Sequence, residues 1–418
     1  MKEAMVREAK RRILSLAHFG EYLLQKKHIE GLLDIYDPSP VNNQKPQKCE
    51  SIAFMITRMV RFHGGQTSVL RVGSELAKRG MKVYYLVYKK QSIEEMKKCA
   101  ASNLPGYKGR CLTLASYERR IEKGKLKKPD FVCASSWDTV SVIKRFADAY
   151  KLYFVQDYEP YFYRYGEEFL MCRSTYHQGL HMISLGSWNR DMIENEPDGM
   201  QITEKAGKGA CGTQNSAVDV LRIDTIDFPY EPGEYSGPAR DYNGYAAKKK
   251  LAVAAYVKFY GKRLPGLIPY MLNNTARKLK QEGIELEILY FGEAKSFKAA
   301  GGSNLGQLTR NELNELYAKA DFGIVASMSN ISLVPFEMHA AGLPVIEFAD
   351  GTYTHFLPAD SAILTDISKT DIAAEILEAV RTPGKLEDMH NSAMKAMEGL
   401  SWEKTGGQFY RILTSIVG

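Results

Sequence analysis

Between residues 51 and 87 the chain passes through two short apolar runs with a glycine turn and an amphipathic stretch between them. The first run is Ser51–Ile56 (SIAFMI). The turn is Arg61-Phe62-His63-Gly64-Gly65, and the stretch carries Val69, Val72, Leu76 and Ala77 up to a stop at Gly80. The second run is 83–87. Apolar runs this short, without alternation, suit strands buried on both faces. Strand, turn, helix and strand within 37 residues form a βαβ unit, which implies a parallel sheet. Residues 131–135, 152–156 and His181–Leu185 read as further strands of that sheet.

A second βα series begins at 251–257, a strand, followed by a helix at Leu267–Gln281 and a strand at 286–291. It continues with helix 311–320, strand 322–326, helix 335–341, strand Val345–Phe348, helix 371–381 and another helix near the C-terminus. The two series are separated by 229–250, which holds Pro229, Pro232, Gly233, Gly237, Pro238 and Lys248-Lys249-Lys250 and marks a domain boundary. A polar, glycine-rich stretch at 195–216 has no periodicity and reads as a loop. The fold class is therefore α/β: two Rossmann-like domains facing across a cleft, where open parallel sheets take ligands beyond the carboxyl ends of their strands. The boundaries are 49–235 and 236–390, with a helical extension at 1–48 and a terminal segment at 391–418.

Composition narrows the class. Hydrophobic residues at 44% and charged residues at 25% are globular values, which argue against disorder and fibrous repeats. Lysine plus arginine less acids is 56 − 49 = +7, too mild for a dedicated nucleic-acid binder. No apolar stretch approaches the roughly 20 residues that cross a bilayer, and the start has no secretory signal pattern. The six cysteines (Cys49, Cys99, Cys111, Cys133, Cys172, Cys211) show no C-x-x-C spacing, so reduced structural thiols are expected. A cytoplasmic enzyme is the expected class.

In the extension, Arg7, Lys10, Arg11 and Arg12 sit among Leu14, Leu16, Phe19, Tyr22, Leu23 and Leu24, and Asp37-Pro38-Ser39-Pro40 ends the pattern. One or two short amphipathic helices packed on the following domain are expected, with a basic membrane-surface helix as the alternative. The basic segments 7–12, 119–128 and 248–250 raise the same pair of readings, solvated faces or attraction to an anionic lipid surface.

Four places could carry chemistry. Gly64-Gly65 opens a helix after a strand, where backbone can approach a ligand and free N–H groups favour an anion. The turn K-F-Y-G-K-R (258–263) puts Lys258, Lys262 and Arg263 at the carboxyl end of a buried strand, where cations can hold a diphosphate and stabilise its departure. Ser332, Leu333 and Val334 lead into a helix, again with N–H groups for an anion, and Glu337 one turn further can accept from a ribose diol. Asp157 and Glu159 end an apolar strand beside the cleft, followed by Tyr161, Phe162 and Tyr163. Each has a plainer reading in turn geometry, surface charge or core packing.

In combination these pieces resemble the nucleotide-sugar glycosyltransferases of the GT-B fold, specifically glycosyltransferase family four. The glycine pair, the basic turn, the block S-L-V-P-F-E-M-H-A-A-G-L-P-V-I (332–346) and the final S-W-E-K-T (401–405) occur in the family's order. V-Q-D-Y-E-P (155–160) is similar to bacterial rhamnosyltransferases of the WsaF type. The resemblance covers roughly 50–418. It implies that Lys258, Lys262 and Arg263 hold a donor diphosphate, that Glu337 binds the ribose, and that the Leu333 and Val334 amides approach the phosphates or sugar. It further implies that Gly292, Leu305, Gly306 and Leu308 line the base pocket, that Gly64 and Gly65 let the first domain close over the donor, and that the last helix returns to the first domain with Trp402 as its anchor. Asp157 would orient the acceptor or donor sugar. Ser329 stands where the family pattern has its first glutamate, Lys258 where arginine is common, and Gln156 where many relatives have histidine.

The implied activity is transfer of L-rhamnose from dTDP-β-L-rhamnose to a glycan or lipid-linked glycan acceptor, with retention of configuration. No cofactor and no metal are expected, because no D-x-D accompanies the phosphate site and three cations supply the charge. A catalytically silent GT-B subunit, suggested by Ser329 and Gln156, and a sugar-nucleotide epimerase are the alternatives.

Overall fold

The structure is a computed structural model that describes residues 2–196, 221–231, 233–259, 261–295, 297 and 301–417. The glycine-rich stretch from 197 onward, with Cys211, and Pro232 and Tyr260 lie outside the described residues.

Two parallel sheets form the frame. The first has seven strands: β1 (Ser51–Ile56), β2 (Lys82–Val87), β3 (Arg110–Thr113), β4 (Phe131–Ala134), β5 (Tyr150–Val155), β6 (His181–Leu185) and β7 (Arg222–Ile226), in the order β3-β2-β1-β4-β5-β6-β7. The second has six: β8 (Lys250–Tyr256), β9 (Glu285–Phe291), β10 (Ser303–Asn304), β11 (Phe322–Ile324), β12 (Val345–Phe348) and β13 (Ile363–Thr365), in the order β10-β9-β8-β11-β12-β13. Every pairing is parallel. In both sheets the first strand lies inside and the order reverses beside it. That reversal opens the crevice in which such sheets hold ligands. The unbroken apolar runs have the cause expected of them: β1, β4, β5 and β6 are buried at every position, with helices on both sides.

The last helix, Trp402–Ile416, belongs by contact to the first domain. Its Phe409 ring lies 6.2 Å from Phe54 and 5.7 Å from Phe154, centroid to centroid. Gln408 Oε1 accepts Asp227 N–H at 2.8 Å, and Arg71 lies 5.4 Å above the buried Trp402 ring. A Cβ at Gly406 would stand 2.3 Å from Glu75 Cβ, so glycine alone allows this helix to approach Gly64–Lys78 so closely.

The N-terminal extension differs from expectation. It is one helix, Lys2–Leu33, where one or two short helices packed on the domain were expected. Proline first stops the chain at Pro38, beyond the helix end. The apolar residues spread around the axis and form no single stripe, so no face commits the helix to the domain. Leu14, Leu16, Phe19, Tyr22, Leu23 and Leu24 are all exposed. Among the described residues, Leu32 and Tyr36 at the far end pack on the first domain, and His28 Nε2 meets Glu168 Oε1 at 3.0 Å.

Candidate functional site

The carboxyl ends of β1 and β5 face those of β8 and β11, and the polar residues predicted from sequence converge between them. Asp157 follows β5. Lys262 comes from the turn after β8, and its Nζ lies 3.0 Å from Asp157 Oδ1; Ser329, after β11, donates its Oγ to the same oxygen at 2.9 Å. Three further bonds tie the walls together. Tyr158 N–H donates to Ser329 O at 2.9 Å, and Asn330 Nδ2 donates to Gln156 O at 2.6 Å and to Leu185 O at 3.1 Å.

The three expected cations divide. Lys262 is 15% exposed, with its ammonium 3.9 Å from the Phe162 ring centroid. Burial draws its pKa down to about 8, with Asp157 opposing. Arg263 is 7% exposed and donates Nη1 to Ala326 O at 2.6 Å, with Glu347 acting on it from β12. Its guanidinium is thus turned into the second domain, holding the end of β11. Lys258 lies over the Tyr256 ring at 5.9 Å and has no carboxylate at ion-pair distance among the described residues.

Glu347, fully buried, accepts Ser327 Oγ–H at 2.6 Å and the N–H groups of Ser327 and Phe348 at 3.2 Å each. Burial pushes its pKa up to about 7 against those bonds. Glu159, the other acid of the strand end, points inward. It accepts Trp137 N–H and Tyr153 Oη–H, each at 2.9 Å, and burial raises it to about 8. Asp157 and Glu159, both expected beside the cleft, therefore divide, with Asp157 in the cleft and Glu159 in the core.

Ser332 caps the helix Leu333–Ala340, and its Oγ accepts Val334 N–H at 3.0 Å. This amends the expectation that the amides of 332–334 are all free for an anion, because the Val334 N–H is taken by the cap. Glu337, one turn inside, accepts Tyr317 Oη–H at 3.3 Å, and Tyr235 bonds the same carboxyl; burial lifts its pKa to about 7. Gly292 sits in left-handed backbone (φ 101), where a Cβ would meet the Tyr256 ring at 2.5 Å, and its N–H donates to Gly306 O at 2.8 Å. Leu305 N–H donates to Tyr290 O at 2.8 Å, so Gly292, Leu305 and Gly306 come together at the ends of β9 and β10, while Leu308 packs against the core. Gly64 and Gly65 open the helix Gly64–Lys78. A Cβ at Gly64 would meet nothing within 4 Å, and one at Gly65 would lie 3.5 Å from Gln156 Oε1.

Three residues in or behind the cleft carried little sequence signal: Asn330, the buried Glu347 and the ring of His63. The string S-M-S-N (327–330) at a strand end was the available hint for the first.

The two-sheet frame recurs in solved structures. Anabaena HepE in complex with UDP and glucose superposes with a TM-score of 0.63 at 12% identity, over 88% of this chain and 100% of that one. The fold is GT-B. TarM matches with a TM-score of 0.63 at 10% identity, over 88% of this chain and 99% of its own. WaaG, a glycosyltransferase involved in lipopolysaccharide biosynthesis, gives 0.54 at 14% identity, over 87% and 99%. In sequence, the O-antigen biosynthesis protein RfbC of Myxococcus xanthus is 23% identical over 368 residues, which is 85% of this chain. The chain spans about a quarter (26%) of that relative's length. No family model matches. A GT-B frame with cations at the second sheet's carboxyl end can hold a diphosphate against one wall and present a second substrate from the other.

Proposed function

We propose that this protein is a nucleotide-sugar-dependent glycosyltransferase of surface-glycan assembly. The observation that carries the reading is the meeting of Lys262, Ser329 and Asp157 between two GT-B sheets, with Lys258 beside them. Lys258 and Lys262 would hold the donor diphosphate, and Arg263 would brace the floor through Ala326. Glu337 would take the ribose, Gly292, Leu305 and Gly306 the base, and Asp157 an acceptor or donor hydroxyl. Positioning and stabilisation of the leaving diphosphate would then supply most of the catalysis, with retention of configuration.

The donor is proposed to be dTDP-β-L-rhamnose, on the strength of the V-Q-D-Y-E-P string and the basic spacing; the UDP and glucose held by HepE make a UDP-sugar the rival class. Thermal stabilisation by dTDP, UDP, GDP and their sugar conjugates separates them, since a ligand at about 100 times its dissociation constant adds roughly 2.7 kcal/mol. Selective response to dTDP and dTDP-rhamnose is expected. A preference for UDP or GDP would discard rhamnose, and silence towards all of them would favour a non-catalytic subunit. Transfer is proposed to need no metal or other cofactor, so it should survive chelation; loss restored by Mg²⁺ or Mn²⁺ would overturn this.

The acceptor is proposed to be a glycan or a lipid-linked glycan reached at a membrane surface. No helix among the described residues is long and apolar enough to cross a membrane, while the helix Lys2–Leu33 exposes apolar residues beside Lys10, Arg11 and Arg12.

A further inference from the structure

His63 precedes the helix Gly64–Lys78 as its N-cap, and its Nδ1 accepts the backbone N–H of Gln66 at 3.4 Å. A ring nitrogen that accepts a hydrogen bond carries no proton, so the neutral ring holds its proton on Nε2. The backbone is fixed as well. His63 N–H donates to Asn103 Oδ1 at 2.9 Å, and Asn103 Nδ2 donates to Val60 O at 2.7 Å. Nε2 has no hydrogen-bond partner among the described residues.

The surroundings select against a second proton. Lys258 and Lys262 from the opposite wall act on the ring, and Asp157 and the His63 backbone oppose them. The ring meets solvent in the cleft yet is enclosed by both walls, and this confinement, followed by the two lysines, holds its pKa below the ordinary value. The amide end of its own helix disfavours a cation further. Beside it, Gln156 Oε1 is buried and has no partner, so the pocket in front of His63 holds an acceptor as well as a donor that the protein leaves unused.

We propose that His63 is a ligand-contacting residue that stays neutral and presents its Nε2–H to a phosphoryl oxygen of the nucleoside diphosphate held by Lys258 and Lys262. This rests on the reading of the cleft as a nucleotide-sugar site. The ring does not act as a general base, because its lone pair is committed to the helix cap. It adds a donor where another positive charge beside two lysines would be costly.

The test titrates UDP and dTDP calorimetrically into the full chain and into His63→Asn and His63→Gln. Asparagine is a good N-cap but lacks a donor that reaches as far, whereas glutamine places an amide N–H near the Nε2 position. His63→Asn should keep the melting temperature and lose about tenfold or more in affinity, the range of a hydrogen bond to a charged group; His63→Gln should recover much of it. In ¹⁵N-histidine spectra of the wild type, Nε2 should be protonated and Nδ1 bare from about pH 6 to about pH 8, and Nε2 should shift on saturation with nucleotide. Undiminished affinity in His63→Asn, a protonated Nδ1, or an Nε2 unmoved by bound nucleotide would each overturn the proposal, the last even where the variant does not fold. A wild type that binds neither nucleotide would overturn the reading of the cleft itself, and this contact with it.

Discussion

Lys262 and Asp157 belong to different domains, and their side chains meet at 3.0 Å in the middle of the cleft. The ammonium proposed to hold a diphosphate is therefore already paired with a carboxylate, to which Ser329 adds a hydrogen bond. A diphosphate bound as proposed would compete with Asp157 for the same cation. Asp157→Asn should bind nucleoside diphosphate more tightly, by about 1 kcal/mol or roughly fivefold for a partly exposed pair. Transfer should fall in the same variant. Calorimetry and turnover on one preparation check both signs, and weaker nucleotide binding would refute the competition.

The two neighbouring cations should fail differently. Lys262→Ala should weaken nucleotide binding with little change in melting temperature. Arg263→Ala removes a buried guanidinium that bonds Ala326 O and faces Glu347, so a loss of stability of about 3 kcal/mol is expected with any loss of binding. Chemical denaturation beside nucleotide titration separates the two outcomes.

Glu159 sets a pH dependence of known sign. Its folded-state pKa, about 8, lies above the ordinary carboxylate value, so the folded state retains a proton that the unfolded state has lost. Its contribution to stability is present below the unfolded value and is lost as pH rises through the folded one. Glu159→Gln carries no such proton. Measured against wild type from about pH 5 to about pH 8, the difference in melting temperature should move steadily in favour of the variant. A constant difference would show that Glu159 is ionised in the fold.

Gly406 faces Glu75 with no room for a methyl group. Gly406→Ala should cost about 1–3 kcal/mol through overpacking, read by denaturant unfolding. A neutral effect would mean that the last helix sits further from Gly64–Lys78 than described.

Removing residues 1–34 should leave the melting temperature nearly unchanged, because the apolar residues described along most of the helix they form are exposed and the contacts of Leu32 and His28 lie near its end. The same deletion should reduce co-sedimentation with anionic vesicles, to which each basic residue near the surface contributes about 1 kcal/mol. Equal binding to neutral vesicles, or no effect of the deletion, would exclude this helix as the contact.

The frame was legible because buried parallel strands leave a strong local signal: His181–Leu185, Leu267–Gln281 and Val345–Phe348 coincide with their elements. The strands that escaped notice, Arg110–Thr113, Arg222–Ile226, Ser303–Asn304 and Ile363–Thr365, lie at or near sheet edges. Three of them have four residues or fewer, and all four carry polar residues that interrupt an apolar run. In the cleft, Asp157, Lys258, Lys262 and Glu337 were legible as charge at strand and helix ends. Their partnerships were not. Nothing local tells that Ser329 bonds a carboxylate 172 residues away, or that Arg263 turns inward while Lys262 stays in the cleft. The N-terminal extension is helical as expected, but its packing differs because apolar content alone does not bury a helix; burial depends on a continuous face.

Because the helix Trp402–Ile416 lies on the domain formed by the first half of the chain, neither half is a self-sufficient cut of the sequence. A chimera that exchanges the second domain with a relative should join near 236 and again near 400, keeping the final helix with the first domain it packs on. Cutting once in the middle would hand the first domain a foreign helix against Glu75 and Phe54, where even one added methyl group has no room.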